Sequence, residues 1–264
     1  MRTNRLRELF AGGGAAINGW LQIPTGFAAE VMASQPWDSL TIDMQHGPVD
    51  YQAALGMLQA MSHKDPVPTV RVPWNEPGII MKCLDAGAYG IICPMVNTAE
   101  QAEQFVKSCR YPPHGFRSFG PTRAMLYAGS DYPAHANDTV LTFAMIETKE
   151  AVDNLDAILD TPGLDGVYIG PADLCQSFGA RERVDLQEPD MVAVLDKILD
   201  GCKQRKIVAG IHTMSPDYAR GCVEKGYQFV TIQSDARLMA GACETAIATA
   251  RGEGGDGDKA SGPY

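Results

Sequence analysis

Several short apolar runs in this chain end in a side chain that can carry charge or move a proton. Ile42-Asp43-Met44-Gln45-His46 closes one run, Arg71 stands near the end of a second, and Glu147 follows Ile146 at the end of a third. A fourth runs into Gly170-Pro171-Ala172-Asp173, and a fifth ends near His212. Ionisable groups in such settings cost free energy unless they are paired or bind a metal. Glu147 and Asp173 come from adjacent runs, so their carboxylates can converge. Two carboxylates completed by waters and a substrate are a usual way to hold a hard divalent cation. The alternative makes Glu147 the first residue of a helix over Thr148–Leu159 and Asp173 a cap before Leu174. His46 has the side chain best suited to a general base, because imidazole titrates near neutral pH; otherwise it is a satisfied loop histidine. Arg71 offers a planar fork for a carboxylate or an enolate, or else an ion pair with Asp43 or Asp85. The Gly170 and Ala172 amides could bind a carboxylate, whereas Pro171 has no N–H to give. His63, His114 and His135 fall in helix ends or loops and read as surface residues. Glu150 and Asp156 read as a solvated helix face. A Schiff-base mechanism needs a lysine at a strand end, and none stands there; Lys149 comes nearest and belongs to the following helix. That favours metal chemistry.

The elements that must position these residues follow from the apolar pattern. Candidate strands are Asn18–Ile23, Ser39–Met44, Thr69–Val72, Gly90–Met95, Leu141–Glu147, Gly166–Gly170, Ile207–Ile211 and Phe229–Ile232. Each is apolar throughout, as strands buried on both faces are. Helical patterns over Tyr51–Ser62, Pro77–Ala86, Thr98–Cys109, Thr148–Leu159, Met191–Arg205 and Tyr218–Lys225 separate most of them. Gly87 and Gly226 stand where two of these helices need a left-handed C-terminal cap. Eight strands alternating with helices predict an α/β fold, a (β/α)8 barrel whose catalytic residues gather at the strands' C-terminal ends. A doubly wound sheet would carry a phosphate-binding glycine fingerprint after its first strand; Gly12-Gly13-Gly14 precedes the first strand instead. Tyr111–Asp138 falls outside the alternation and reads as a long irregular loop, functional or a subunit contact. A single domain spans 1–251, and the tail 252–264, without apolar periodicity, reads as disordered.

Composition excludes other classes. The 264 residues carry 22 Lys and Arg against 32 Asp and Glu, a net charge of −10, which argues against a nucleic-acid or anionic-membrane partner. The longest apolar run, Tyr89 to Val96, is too short to span a bilayer. The N-terminal residues lack the apolar segment of a secretory signal, and seven cysteines without a C-x-x-C pair read as buried free thiols. These features suit a cytoplasmic protein.

The segments Asp43-Met-Gln-His46-Gly-Pro, Val70-Arg71-Val-Pro-Trp-Asn75, Pro94-Met-Val, Arg110-Tyr-Pro-Pro-x-Gly115-x-Arg117, Ile146-Glu147-Thr and Ile169-Gly-Pro-Ala-Asp173-Leu resemble, in this order, the HpcH/HpaI family of class II pyruvate aldolases. The likeness runs from about Asn18 to Arg251. It implies the (β/α)8 barrel and a homohexamer, a trimer of dimers, with the last helix (about Leu238–Arg251) swapped between barrels. By this resemblance Glu147 and Asp173 ligate the metal, most often Mg2+ or Mn2+ with Co2+ a further option. His46 is the base and Arg71 the enolate clamp. Asp43 and Asp85 orient His46 or its water, with Asp85 able to reach in from a neighbouring subunit. Trp20 lines the pocket, and Gly170, Pro171 and Ala172 form the turn that receives the substrate carboxylate.

The implied reaction is reversible cleavage of a 4-hydroxy-2-oxo acid into pyruvate, or a close 2-oxo acid, and an aldehyde. The chain departs from the family pattern at Gln45, often Glu, and at Met145, often Gln. It also places Met125 and Leu126 where a heptanedioate-cleaving member has an Arg-Ser pair, which predicts a preference for short or uncharged aldehydes; Arg123 is the residue that could reverse it. Competing functions are an oxaloacetate decarboxylase or acyl-CoA lyase on the same barrel, and a non-catalytic barrel that senses a keto acid.

Overall fold

The computed structural model describes residues 1–181 and 183–253. Its elements in chain order are α1 (Arg5–Ala11), β1 (Ala16–Leu21), α2 (Gly26–Ala33), β2 (Ser39–Asp43), α3 (Tyr51–Ala60), β3 (Val67–Arg71) and α4 (Pro77–Asp85). There follow β4 (Gly90–Cys93), α5 (Ala99–Cys109), α6 (Thr122–Ala128), α7 (Tyr132–Thr139), β5 (Leu141–Ile146), α8 (Lys149–Asp153) and α9 (Leu155–Leu159). The last are β6 (Gly166–Ile169), α10 (Pro171–Ser177), α11 (Pro189–Arg205), β7 (Val208–Thr213), α12 (Pro216–Lys225), β8 (Phe229–Ile232) and α13 (Asp235–Arg251). Each strand pairs in parallel with the next, and β1 pairs with β8, so the sheet closes into the expected (β/α)8 barrel.

Register decides which side chains meet at the mouth. Asp43 stands opposite Arg71 on β2 and β3. Ile146 stands opposite Ile169 on β5 and β6, so Glu147 and the Gly170 turn leave the sheet side by side. Two apolar layers fix these positions. One lies between strands and helices, where Leu40, Ile42, Val70, Ile91, Ile169 and Ile211 meet the helices' inner faces. The other fills the barrel, with Phe143 stacked on Phe229 at 5.0 Å and Phe10 of α1 reaching both rings. Asn4 anchors α1 beneath them through bonds to the Tyr89 and Thr139 carbonyls at 3.1 and 2.8 Å.

The structure departs from the sequence reading in several places. The strands are not apolar throughout: Asn18, Thr41, Thr69 and Thr231 are buried and satisfy one another by hydrogen bonds inside the barrel. Tyr111–Asp138 is no structureless loop, because α6 and most of α7 lie in it; both lack a side-chain N-cap, and neither offers a long amphipathic stripe. The helix expected over Thr148–Leu159 breaks at Asn154, whose amide turns to bond the Asn97 carbonyl at 3.0 Å. α1, α2 and α10 have seven or eight residues each, too short for a clear periodicity. Six of the cysteines are buried as expected, but Cys243 on α13 is exposed. No helix among the described residues is long and apolar enough to cross a membrane. Of the tail expected to be disordered, 254–264 lie outside the described residues; Gly252 itself closes α13 in the left-handed conformation.

Candidate active site

A cavity of about 310 Å³ opens at the C-terminal ends of the strands. Trp20, His46, Arg71, Gly170, Pro171, Ala172 and Asp173 all line it, so the structure gathers most of the residues singled out in the sequence. Glu147 adjoins it, with one carboxylate oxygen where a Cβ on Gly170 would fall, 2.6 Å away. This close approach explains the glycine at the end of β6.

On the β1–β3 side everything converges on Asp43. Its carboxylate accepts from Arg71 Nε and Nη2 at 2.9 and 2.8 Å, a bidentate ion pair. Trp20 Nε1 and Gln22 Nε2 donate to its Oδ2 at 3.1 and 3.0 Å, and the Gln45 and His46 amides donate to its Oδ1 at 3.1 and 3.2 Å. Burial alone would raise the Asp43 pKa. The Arg71 bonds and charge, with Gln22 and Trp20, outweigh it and hold the carboxyl well below its usual range. Of the two readings of Arg71, the ion pair with Asp43 is therefore present, but it uses only Nε and one proton of Nη2. The rest of the fork faces the cavity, above the Trp20 ring at 4.8 Å. Asp43 orients the backbone of His46; the imidazole is exposed at the rim and forms no hydrogen bond among the described residues.

The β5–β6 side is built differently. Glu147 is 2% exposed and does not cap the following helix; Thr148 does, accepting from the Ala151 amide at 3.0 Å. The Met95 amide, turned inward by a positive φ of 55°, donates to Glu147 Oε1 at 2.7 Å. Burial, with the Asp173 charge adding, pushes Glu147 up to about 7, against the Met95 bond and the Arg71 charge. Asp173 is exposed in the first turn of α10, where Gly170 provides the N-cap. Among the described residues no cluster of three or more His, Cys, Asp or Glu forms. The donor set is thus two carboxylates, one buried with a nearly unpaired oxygen and one at the surface of the same cavity. A hard cation fits it, because such an ion completes its shell with water and substrate oxygens and would offset the burial of Glu147.

Asp85 is the residue the chain does not bring here. It ends α4, at the opposite end of the barrel from His46, where Arg117 bonds it at 2.7 Å. The same holds for the α6 segment that was aligned with the aldehyde pocket. Arg123 is engaged there with the Ala86 and Leu58 carbonyls and the Ser62 hydroxyl, and Leu126 is exposed. Within one chain neither Met125, Leu126 nor Arg123 enters the cavity. Its remaining wall comes from Tyr168, Val184, His212, Met214, Ser234 and Arg237. Of these, His212 was visible as a polar residue near a strand end. Ser234 and Arg237 could not be placed, because α13 returns over the mouth through Asp235, which accepts from the Gln22 and Ile23 amides at 2.8 and 3.1 Å.

Comparison with known proteins agrees with this fold. The model of the HpcH/HpaI aldolase/citrate lyase family matches residues 20–242. A hydroxypyruvate/pyruvate aldolase of Rhizorhabdus wittichii is 42% identical over 248 residues, covering 94% of this chain and 99% of that protein. A 2-keto-3-deoxy-L-rhamnonate aldolase of Escherichia coli is 34% identical over 99% of this chain and 98% of its own. Among solved structures, an HpcH/HpaI aldolase/citrate lyase family protein from Burkholderia cenocepacia superposes with a TM-score of 0.88 at 30% identity, covering 95% of this chain and 100% of that one. The chain belongs to the HpcH/HpaI aldolase/citrate lyase family, which depends on a divalent metal, and the relatives it matches are named as aldolases, enzymes that act on carbon–carbon bonds.

Proposed function

We propose that this member of the HpcH/HpaI family is a class II aldolase that reversibly cleaves 4-hydroxy-2-oxo acids into pyruvate, or a close 2-oxo acid, and an aldehyde. The observation that carries the reading is the meeting, in one cavity, of a two-carboxylate donor set with an arginine already aimed by Asp43. Glu147 and Asp173 would hold the divalent cation, Mg2+ or Mn2+ in the first place and Co2+ as a further option. When bound, that ion supplies Lewis-acid polarisation of the 2-oxo acid's keto group.

The chain's own residues do the rest. The Gly170 and Ala172 amides at the start of α10 receive the substrate carboxylate, a favourable place for an anion. Arg71 turns its free N–H groups toward negative charge that develops on the keto oxygen, and its fork costs little to reorganise because Asp43 already fixes it. His46, at the rim, takes the proton from the carbon beside the keto group, and its exposure lets that proton leave. Trp20 closes the floor under Arg71.

Asp85 would enter such a site only from a second subunit. A homohexamer with α13 exchanged between barrels is consistent with that helix: beyond Asp235 no residue of it is buried, and Met239 and Ile247 are more than half exposed. We also place the enzyme in the cytoplasm. The test is exchange of pyruvate methyl protons with deuterated water. Exchange that requires added Mn2+ or Mg2+ and stops in excess EDTA is expected; its absence with either metal would overturn the aldolase reading.

A further inference from the structure

The cavity wall holds one side chain whose protonation pattern the fold dictates. His212, on β7, packs edge-on against Trp20 with ring centres 5.0 Å apart, and its Nδ1 lies 3.1 Å from the Tyr168 hydroxyl. The donor and acceptor at that contact follow from the buried polar chain behind it. Thr41 Oγ1 donates to Asn18 Oδ1 at 3.1 Å, which turns the Asn18 amide so that Nδ2 donates to Thr231 Oγ1 at 2.8 Å. The Tyr168 hydroxyl donates to the same Thr231 oxygen at 2.6 Å. Its only proton is then used, so its oxygen can only accept from His212, and the imidazole must carry its proton on Nδ1.

The other nitrogen is left as a lone pair. Nε2 has no hydrogen-bond partner among the described residues, yet it is not sealed from solvent, and it opens on the cavity. Burial, with the Arg71 charge adding, lowers the His212 pKa to about 4, so the ring stays neutral in this role. The charges acting on the ring are of both signs, Arg71 and Arg237 against Asp43 and Asp185, and the cavity it lines also presents Met145 and Met214. Amid these, a neutral acceptor of fixed direction favours a group that donates a proton without carrying charge.

We propose that His212 is a specificity-determining residue that accepts a hydrogen bond at Nε2 from a hydroxyl group of the substrate. The inference rests on the aldolase reading and narrows it to hydroxylated small substrates. The hydroxyl could belong to the 2-oxo acid, at the carbon beside its keto group, or to the aldehyde, beside its carbonyl.

Two substrate pairs separate these sources. One compares hydroxypyruvate with pyruvate at a common aldehyde; the other compares glycolaldehyde with acetaldehyde at common pyruvate. In His212→Phe, which keeps a flat ring and removes the acceptor, the kcat/KM ratio of hydroxylated to deoxygenated substrate should fall about tenfold in one pair, the size of one neutral hydrogen bond. His212→Gln, whose amide oxygen still accepts, should recover part of that ratio. The affected pair identifies the source of the hydroxyl. Ratios within twofold of wild type in both pairs would overturn the inference while metal-dependent methyl exchange still upheld the aldolase. Loss of that exchange in wild type would overturn both. A readout independent of turnover is the nitrogen spectrum of 15N-histidine-labelled wild type: Nδ1 protonated and Nε2 bare is expected, and a proton on Nε2 would refute the inference.

Discussion

Asp43 and Glu147 are both strand-end carboxylates sealed almost completely from solvent, at 0% and 2% exposure, on facing sides of one barrel mouth. Their surroundings are opposite. Asp43 is bonded through both oxygens to Arg71 and further to Trp20, Gln22 and two backbone amides. Among the described residues Glu147 accepts from a single amide, and it faces another carboxylate. The same functional group at the same depth thus serves two ends. A saturated carboxylate can only hold other groups in place, and Asp43 aims Arg71 and anchors the loop that carries His46. A carboxylate with an open oxygen retains capacity for a ligand, and burial without a matching cation makes it unstable as an anion. The separation of duties is set by which neighbour supplies the positive charge: a resident guanidinium on one side, an exchangeable ion on the other.

The sharpest way to break this comparison is to neutralise each carboxylate in turn. Glu147→Gln keeps an oxygen for the Met95 amide and removes a costly buried charge, so its melting temperature should stay level or rise. Its kcat should nonetheless fall by about 10³-fold, as expected when metal polarisation worth several kcal/mol is lost. Calorimetric titration should show weakened Mn2+ binding in the same variant, and likewise in Asp173→Ala. Asp43→Asn should lose stability instead, because Arg71 is left partly unpaired where it is buried. A Glu147→Gln protein that unfolds, or binds Mn2+ like wild type, would place Glu147 in the structural class with Asp43.

A smaller effect, confined to catalysis, is expected at the rim. His46 is exposed and its ring touches no hydrogen-bond partner among the described residues. His46→Ala should therefore change stability by no more than about 0.5 kcal/mol. It should slow pyruvate methyl exchange by about 10²-fold, the ordinary share of a positioned base. Wild-type exchange rates in this variant would assign proton removal to another group.

The barrel was legible because its strands are largely buried on both faces and so read as apolar runs, and its eight-fold count followed. Their ends were displaced by up to two residues in most cases, since an apolar run does not mark where pairing stops. The site was legible wherever a charged residue directly followed such a run, as at Asp43, Arg71 and Glu147. Partnership was less so: Arg71 was equally compatible with Asp43 and Asp85, and only the register of β2 against β3 separates them. Asn18 and Thr231 stand in runs that read as apolar, so the polar chain reaching His212 left no trace in the pattern. Arg237 enters through a helix that follows the last strand, and no spacing rule places such a helix over the mouth.

The Asp43–Arg71 pair offers a quantitative check of the saturated side. Arg71→Lys keeps the charge but cannot form the fork, and Asp43→Asn keeps the shape but removes the charge. If the two act as one unit, the double variant should be less destabilised than the sum of the single ones, by roughly 1–3 kcal/mol in a double-mutant cycle. Additive losses would mean that Trp20, Gln22 and the backbone amides, and not Arg71, hold Asp43.

The smallest expected effect is a pH dependence that separates the two sides by window. His212 has a folded value lowered to about 4 from its ordinary 6.5, so below 6.5 the unfolded chain takes up a proton that the folded chain refuses. Stability from this group is therefore full above 6.5, falls as the pH drops toward 4, and then levels. The full shift corresponds to about 3 kcal/mol, reduced to the order of 1 kcal/mol because the ring opens on a wet cavity. Asp43 contributes in a lower window, since its stabilisation is present above its ordinary 3.8 and is lost only below that. Glu147 acts in the same range as His212 but with the opposite sign. Raised to about 7 from 4.5, it binds its proton in the folded state first, and stability rises as the pH falls between those values. The two nearly offset each other in wild type, so the measurement is made in Glu147→Gln without added metal. Denaturant unfolding at pH 7 and 4.5 should show a loss on acidification, and adding His212→Phe should flatten it. A slope that survives the second substitution would show that the acid sensitivity belongs to another group.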